Sequence, residues 1–356
     1  MENPDSGSAT FVEHEDGRGA RLSMDVARDG ATPWSCYHSP EGGVRKGLSN
    51  DEIRSIVESG TGNLWVDIDY RIPDQVALLD SVFHFHPLAI EDSLNPNSRV
   101  KIEEYKGFLI LIVRTLSFLE ETEDPYDIET VNLTCFLGQN FLVTVHGENT
   151  RPIDVTVELL DRKPELAEAG PARLMHAIVD EAVNAYFPVI DQLDEFVDGL
   201  EDRIFGSFDQ TALRDIFSVK RLVLSLRRHL APERDVFAVL TNRPSALLTV
   251  DTQIYFRDIY DHILRINDAL ETYRELLSNT LDSYLTQVSN RLGSITKTLS
   301  VVATITLPFI IVSGMWGMNF EQIPLSHTSH GFWTMLVVQI VLGVLLLIGL
   351  KWRKLL

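Results

Sequence analysis

The sequence predicts an α+β/α membrane protein. An N-terminal cytoplasmic α/β domain leads into a very long stalk helix, which continues into the first of two C-terminal transmembrane helices. Three observations predict this. Two stretches near the C-terminal end, 298–320 and 331–350, carry no charged residue, and each is long enough to cross a hydrocarbon core of roughly 30 Å. Strand-like and helix-like segments alternate between 30 and 150, as in a sheet with helices packed over it. A seam of apolar residues at spacings of three and four runs from Ile259 to Leu299, straight into the first uncharged stretch.

Taken in chain order, residues 1–25 are acidic and polar, which predicts a disordered start. They lack the basic-then-apolar pattern of a signal peptide. Residues 26–170 read as the α/β domain. Strand candidates are 64–68, 107–119, 131–137 and 141–145, the last two flanking a Gly138-Gln139-Asn140 turn. Helical segments fall near 49–58, 73–82 and 87–94. Residues 171–250 form an acidic helical hairpin region. Its seam of Ile190, Leu193, Val197, Leu200 and Ile204 is heptad-like, and Asp191, Asp194, Glu195, Asp198, Glu201 and Asp202 fill the other positions. A solvated face and a loose cation-holding face both account for that acidic run.

Residues 251–320 are the stalk helix and first span, with the span itself at about 298–318. No proline or obvious turn interrupts 252–306, and a helix over 252–316 would be roughly 98 Å long. Residues 321–330 form an outer loop, 331–350 the second span and 351–356 a basic tail. Lys297 and Arg291 precede the first span, Lys351, Arg353 and Lys354 follow the second, and the loop between has no Lys or Arg. The positive-inside rule therefore places the loop outside and both termini in the cytoplasm, in a multi-pass protein of the cytoplasmic (inner) membrane.

The first span carries Ser300, Thr304, Thr306, Ser313, Gly314 and Gly317, with Pro308 in its middle. Small and hydroxyl residues suit close packing or a wet conduit. One such helix cannot enclose a conduit, so a pore requires several copies around an axis. The charge agrees: 31 bases stand against 51 acids, a net charge of −20. That balance disfavours nucleic acid and concentrates cations, although an ordinary acidic surface accounts for the charge alone. Cys36 and Cys135 fall in predicted strands with no metal-ligand spacing and read as buried thiols. No P-loop, dinucleotide turn, nucleophile elbow or zinc-protease signature is present, so no enzyme is expected.

The tripeptide Gly317-Met318-Asn319 ends the first of two C-terminal spans and is followed by Phe320 and Glu321. In that context, with His86-Pro87-Leu88-Ala89-Ile90-Glu91-Asp92, Lys101-Ile102-Glu103-Glu104-Tyr105 and Tyr255-Phe256-Arg257-Asp258-Ile259-Tyr260-Asp261-His262, the chain resembles the CorA family of pentameric magnesium and divalent-cation channels, within the CorA/ZntB superfamily. The resemblance implies a funnel-shaped homopentamer in the bilayer, its pore lined by five first-span helices. Gly317, Met318 and Asn319 would form the selectivity filter at the outer entrance, with Glu321 drawing cations to it. Mg2+ binds octahedrally to oxygen and sheds water reluctantly. A ring of Asn319 carbonyls could hold its hydration shell without stripping it and still release it. Helix capping is the plainer role for Asn319.

The resemblance places inner pore and gate positions at Gly293, Thr296, Leu299 and Ile310. Only Leu299 keeps the family's residue type, and Ile310 stands where a pore threonine is expected. Leu299, with Val302, could gate by dewetting or simply pack between helices. Acidic residues between neighbouring subunits would bind regulatory Mg2+ at Glu91, Asp92, Asp180 and Asp258, while Asn184 replaces one family aspartate. Asp258 could otherwise pair with Arg257. Mg2+ would be both substrate and regulatory ligand, and no organic cofactor is implied. Uptake of Co2+ or Ni2+ would fit the same entrance. A ZntB-like zinc transporter is the alternative, kept open by the altered inner pore and opposed by Met318. His327 and His330 could serve zinc or stand solvated. A membrane-tethered coiled-coil scaffold would show no flux at all.

Overall fold

The computed structural model describes residues 30–118, 128–147, 151–206, 211–242, 245–318 and 328–353. The predicted disordered start, Asn319, Phe320, Glu321, His327 and Lys354 lie outside these residues. The chain divides into two compact units, one of residues 1–201 and 211–278, the other of 202–210 and 279–356.

The first unit contains a seven-stranded mixed sheet in the order β2-β1-β3-β7-β6-β5-β4. The strands are β1 (Trp34–His38), β2 (Val44–Lys46), β3 (Asn63–Asp69), β4 (Lys101–Tyr105), β5 (Phe108–Phe118), β6 (Ile128–Gly138) and β7 (Phe141–His146). Only β3 and β7 pair in parallel. All the strands expected from the sequence are present, β1 being the one that holds Cys36, and β2 and β4 add to them. Alternation sorts side chains to two faces. Leu64, Val66, Ile68, Ile110, Ile112, Phe136, Val143 and Val145 form one core with Leu78, Leu79, Phe83 and Phe85. That face is covered by α1 (Asn50–Ser59), α2 (Pro73–Ser81) and α3 (Pro87–Leu94). Ser49 and Glu52 form a reciprocal capping box that starts α1, and Gly60, left-handed at φ 65°, ends it. On the opposite face Trp65, Asp67, Cys135 and Thr144 are buried. Trp65 Nε1–H donates to Thr144 Oγ1 (3.0 Å), and Thr144 donates to Asp67 Oδ1 (2.6 Å). Asp67 Oδ2 lies 3.1 Å from His146 Nε2. Cys36 and Cys135 are free and buried, and burial pushes their thiols up to about 11 and about 12.

Helices α4 (Arg151–Arg162), α5 (Glu165–Glu168), α6 (Pro171–Asn184), α7 (Phe187–Gly206), α8 (Ala212–Asn242) and α9 (Val250–Trp316) follow. The expected seam is buried: Ile190, Leu193, Val197, Leu200 and Ile204 are each at most 8% exposed. On α9, Ile259, Ile263, Ile266, Leu270, Tyr273 and Leu277 are likewise buried. Polar groups tie these helices together. Tyr273 O–H donates to Asp194 Oδ1 at 3.0 Å, and Glu271 forms ion pairs with Arg227 of α8 and with Arg274 of its own helix.

Strand β5 outruns β4, whose pairing stops at Lys101↔Ile112. Beyond that point the Arg114 N–H donates to Glu233 Oε1 of α8 (2.7 Å), and its carbonyl accepts from Tyr186 O–H (3.2 Å). Glu233 is fully buried, and desolvation pushes its carboxyl up to about 8.

The second unit holds the far part of α9 and α10 (Gly331–Trp352). Both helices are long and apolar enough to cross a membrane. The expected 252–316 helix is observed as an unbroken helix of 67 residues, about 100 Å by its rise.

Candidate functional site

The apolar seam of α9 is buried as far as Tyr284 and then emerges. Leu285, Leu292, Ile295, Leu299, Ile310 and Met315 are each more than half exposed in the single chain. So much uncovered apolar helix requires a bilayer or further copies to cover it. Hydroxyls on this stretch bond within their own helix: Thr298 donates to the Ser294 carbonyl (3.0 Å), Thr304 to Ser300 (2.7 Å) and Thr306 to Val302 (2.8 Å). Pro308 sits inside the helix, and its ring removes the donor that the Thr304 carbonyl would take.

Two contacts within the second unit join α9 to α10. Gln339 Nε2 donates to Ser313 Oγ at 3.5 Å. A Cβ on Gly343 would lie 2.7 Å from the Phe309 ring, so glycine permits this close approach. Phe332 and Trp333 stand exposed at the start of α10, and Lys351, Trp352 and Arg353 at its end. Aromatic and basic residues at such positions suit a membrane–water boundary.

Past Trp316 the helix closes with the Gly317 N–H on the Ser313 carbonyl (3.0 Å) and the Met318 N–H on Met315 (3.4 Å). A Cβ at Gly317 would press to 3.3 Å on the Ser313 oxygen. Leu299, Ile310 and Gly317 are separated by close to three and two whole turns, which places them on one face. Thr296 stands about 60° and Gly293 about 120° round from that face. All five are exposed.

A second cluster lies in the first unit, where α6 meets the start of α9. One donor atom each from Asp180, Asp258 and His262 lies within 4.8 Å of the others. His262 Nδ1 is 3.9 Å from Asp180 Oδ1, and His262 Nε2 is 4.0 Å from Asp258 Oδ2. Neither distance is a hydrogen bond. Asp180 Oδ1 and His262 Nδ1 are both shielded from solvent and have no hydrogen-bond partner. Asn184 Nδ2 donates to the other Asp180 oxygen at 3.2 Å. One turn before Asp180, His176 packs edge-on against Tyr255 and Phe256. Burial pulls its imidazole below the ordinary range, against the Asp180 charge. The Arg173 guanidinium lies 3.3 Å over the Tyr255 ring.

Asp180 and Asp258 are thus brought together within one chain. Glu91 and Asp92 are not part of this cluster. Glu91 is exposed on α3, and Asp92 Oδ2 accepts from Lys101 Nζ at 2.6 Å. Burial alone would lower the Lys101 pKa, but hydrogen bonds to Asp92 and Glu103 outweigh it and raise it. His262 and His176 were missed as donors by the sequence reading. Their signal was available in the i, i+4 spacing of His176 with Asp180 and of Asp258 with His262, which sets each pair on one helix face.

The chain matches the family described as CorA-like Mg2+ transporter protein over residues 60–352. It is 32% identical over 305 residues to the putative metal ion transporter YfjQ of Bacillus subtilis, covering 84% of this chain and 92% of that one. It is 28% identical over 292 residues to the cobalt/magnesium transport protein CorA of Thermotoga maritima, covering 82% of each. Its fold matches the complete structure of the CorA magnesium transporter from Methanocaldococcus jannaschii with a TM-score of 0.76 at 21% identity, over 90% of this chain and 97% of that one.

Proposed function

This chain belongs to the CorA family of Mg2+ transporter proteins, and on that premise we propose that it conducts hydrated Mg2+ into the cytoplasm through a ring of five copies. It is a membrane protein with two C-terminal spans, a transporter of divalent cations and not an enzyme. The observation that carries the finer reading is the face shared by Leu299, Ile310 and Gly317 on an exposed apolar helix that ends at Gly317-Met318. Five such faces around an axis would form an apolar-walled conduit with Leu299 as its narrowing, dewetted when closed. The Asn319 carbonyls would hold the ion's water shell at the mouth, with Glu321 supplying charge there. Neutral oxygens suit an ion that keeps its water and must also leave. Co2+ or Ni2+ would pass by the same hydrated route.

Glu91, Asp92, Asp180 and Asp258 are proposed as the regulatory carboxylates. A divalent ion would hold them together, and its loss would release the interface they share. Two orphaned donor atoms at Asp180 and His262 support a cation there. The altered inner pore, with Gly293, Thr296 and Ile310, favours a second reading, a ZntB-like zinc transporter.

Uptake into liposomes holding the purified chain tests both. Mg2+ should enter down its gradient, and Asn319→Ala should cut that flux at least about tenfold, the scale of losing about 1.4 kcal/mol of ion stabilisation. Unchanged Mg2+ flux in the variant would remove the filter assignment. Zinc flux that needs a proton gradient, without Mg2+ flux, would establish the second reading.

A further inference from the structure

Gln339 is the one carboxamide in the second span, 331–350, a stretch with no charged residue. At membrane depth such a side chain bonds across to a neighbouring helix. Gln339 Nε2 donates to Ser313 Oγ of α9 at 3.5 Å. One turn along both helices, Gly343 admits the Phe309 ring to a place where a Cβ would stand 2.7 Å away. We propose that Gln339 is a positioning residue for ion selection: through Ser313 it fixes the last turn of α9, and with it the Gly317-Met318-Asn319 entrance.

Ser313 lies one turn beneath that entrance. Its carbonyl accepts the Gly317 N–H at 3.0 Å, whereas the Met318 N–H makes a longer bond, 3.4 Å, to the Met315 carbonyl. The helix end is thus loosely held by its own backbone, as helix ends are. An anchor from α10 at Ser313 steadies the turn that carries Gly317. The grip also keeps clear of the conduit. At about 100° per residue, Ser313 stands about 40° and Phe309 about 80° round, to the same side, from the face of Leu299, Ile310 and Gly317. The second span therefore takes the flank of α9 and leaves that face open. Both contacts lie beyond Pro308, where the helix lacks one backbone donor. They hold the outer piece of the helix without relying on the bond lost there. Recognition of an ion through its water shell needs acceptors held to within about 0.5 Å. Loss of the anchor should therefore spoil recognition before it stops passage. This inference rests on the filter reading of Gly317, Met318 and Asn319 and names what holds that filter in place.

The test measures Mg2+ uptake against Mg2+ concentration in liposomes holding the purified chain, with Co2+ uptake run beside it. Gln339→Leu removes the carboxamide and Ser313→Ala the hydroxyl. Each should raise the half-saturating Mg2+ concentration about three- to tenfold and shift the Mg2+/Co2+ ratio by a similar factor. Maximal flux should change less. The double variant should be no worse than Gln339→Leu, because the two residues act as one pair. Ser313→Thr keeps the hydroxyl and should match wild type. So should Thr334→Val, whose hydroxyl bonds the His330 carbonyl of its own turn at 3.0 Å. A merely structural role would lower maximal flux and leave half-saturation and ratio unmoved, and that outcome would overturn the proposal. Additive effects of the two changes would overturn it too, as would a Ser313→Thr that fails like Ser313→Ala. If Gln339→Leu does not enter the liposomes, the two Ser313 variants decide by the same readouts. Asn319→Ala separates this role from the filter itself. If it alters Mg2+ saturation while Gln339→Leu and Ser313→Ala do not, the filter stands and the positioning role falls. If none of the three alters it, both fall.

Discussion

Glu233 shows how a single residue can carry a pH dependence. Its carboxyl is buried and held near pH 8, whereas in the unfolded chain it titrates near the ordinary glutamate value of about 4.3. Between those values the unfolded chain has released a proton that the folded chain retains. Folding stability therefore falls as pH rises from about 4.3 to about 8, and then levels. Glu233→Gln keeps an acceptor for the Arg114 N–H and removes the titration. Thermal melting between pH 5 and 9 should show the variant gaining on wild type as pH rises. A constant difference across that range would mean that Glu233 is ionised in the fold. Nothing local in the sequence announces this residue. It sits in an ordinary charged stretch of α8, and its partner is 119 positions away. His262 is the contrasting case, because its spacing from Asp258 was in plain view and only the approach of α6 was not.

At the scale of elements, α9 divides by what covers it. Leu270 is fully buried, whereas Leu299 is 68% exposed in the single chain. Leu270→Ala should cost about 2–5 kcal/mol, as for a cavity in a packed core. A lowered melting temperature of the purified chain would show it. Leu299→Asn should leave that melt nearly unchanged and raise ion flux in liposomes, because a polar ring wets a hydrophobic narrowing. Flux at or below the wild-type level would remove Leu299 from the gate. The helix itself was legible, since its seam keeps a spacing of threes and fours without a break. The strands at 107–119 and 141–145 were legible from apolar runs and turn residues. Strand β4 (KIEEY) was not, because its charged edge position hides the alternation.

Charge acts on the molecule as a whole. With a net −20 on each chain, the field gathers divalent cations, and salt screens it over about 10 Å at 0.1 M. Raising monovalent salt from roughly 0.01 to 0.1 M should slow uptake at sub-saturating Mg2+ by up to about tenfold, while a neutral osmolyte should not. Equal rates at both salts would mean that the charge does not steer the ion. The order of the sheet was beyond sequence reading, because β3 and β7 pair in parallel across more than seventy residues of intervening chain. The sheet's margins have a bearing on self-association. Edge strands β2 and β4 are short and carry Arg45, Lys46, Lys101, Glu103 and Glu104, and the overhang of β5 is plugged at Arg114 by Glu233 and Tyr186. Exposed strand edges recruit other chains. A protein proposed to gather into rings through its helices has thus closed off the competing route, strand-to-strand stacking, and a version shortened before α8 would uncover that adhesive margin.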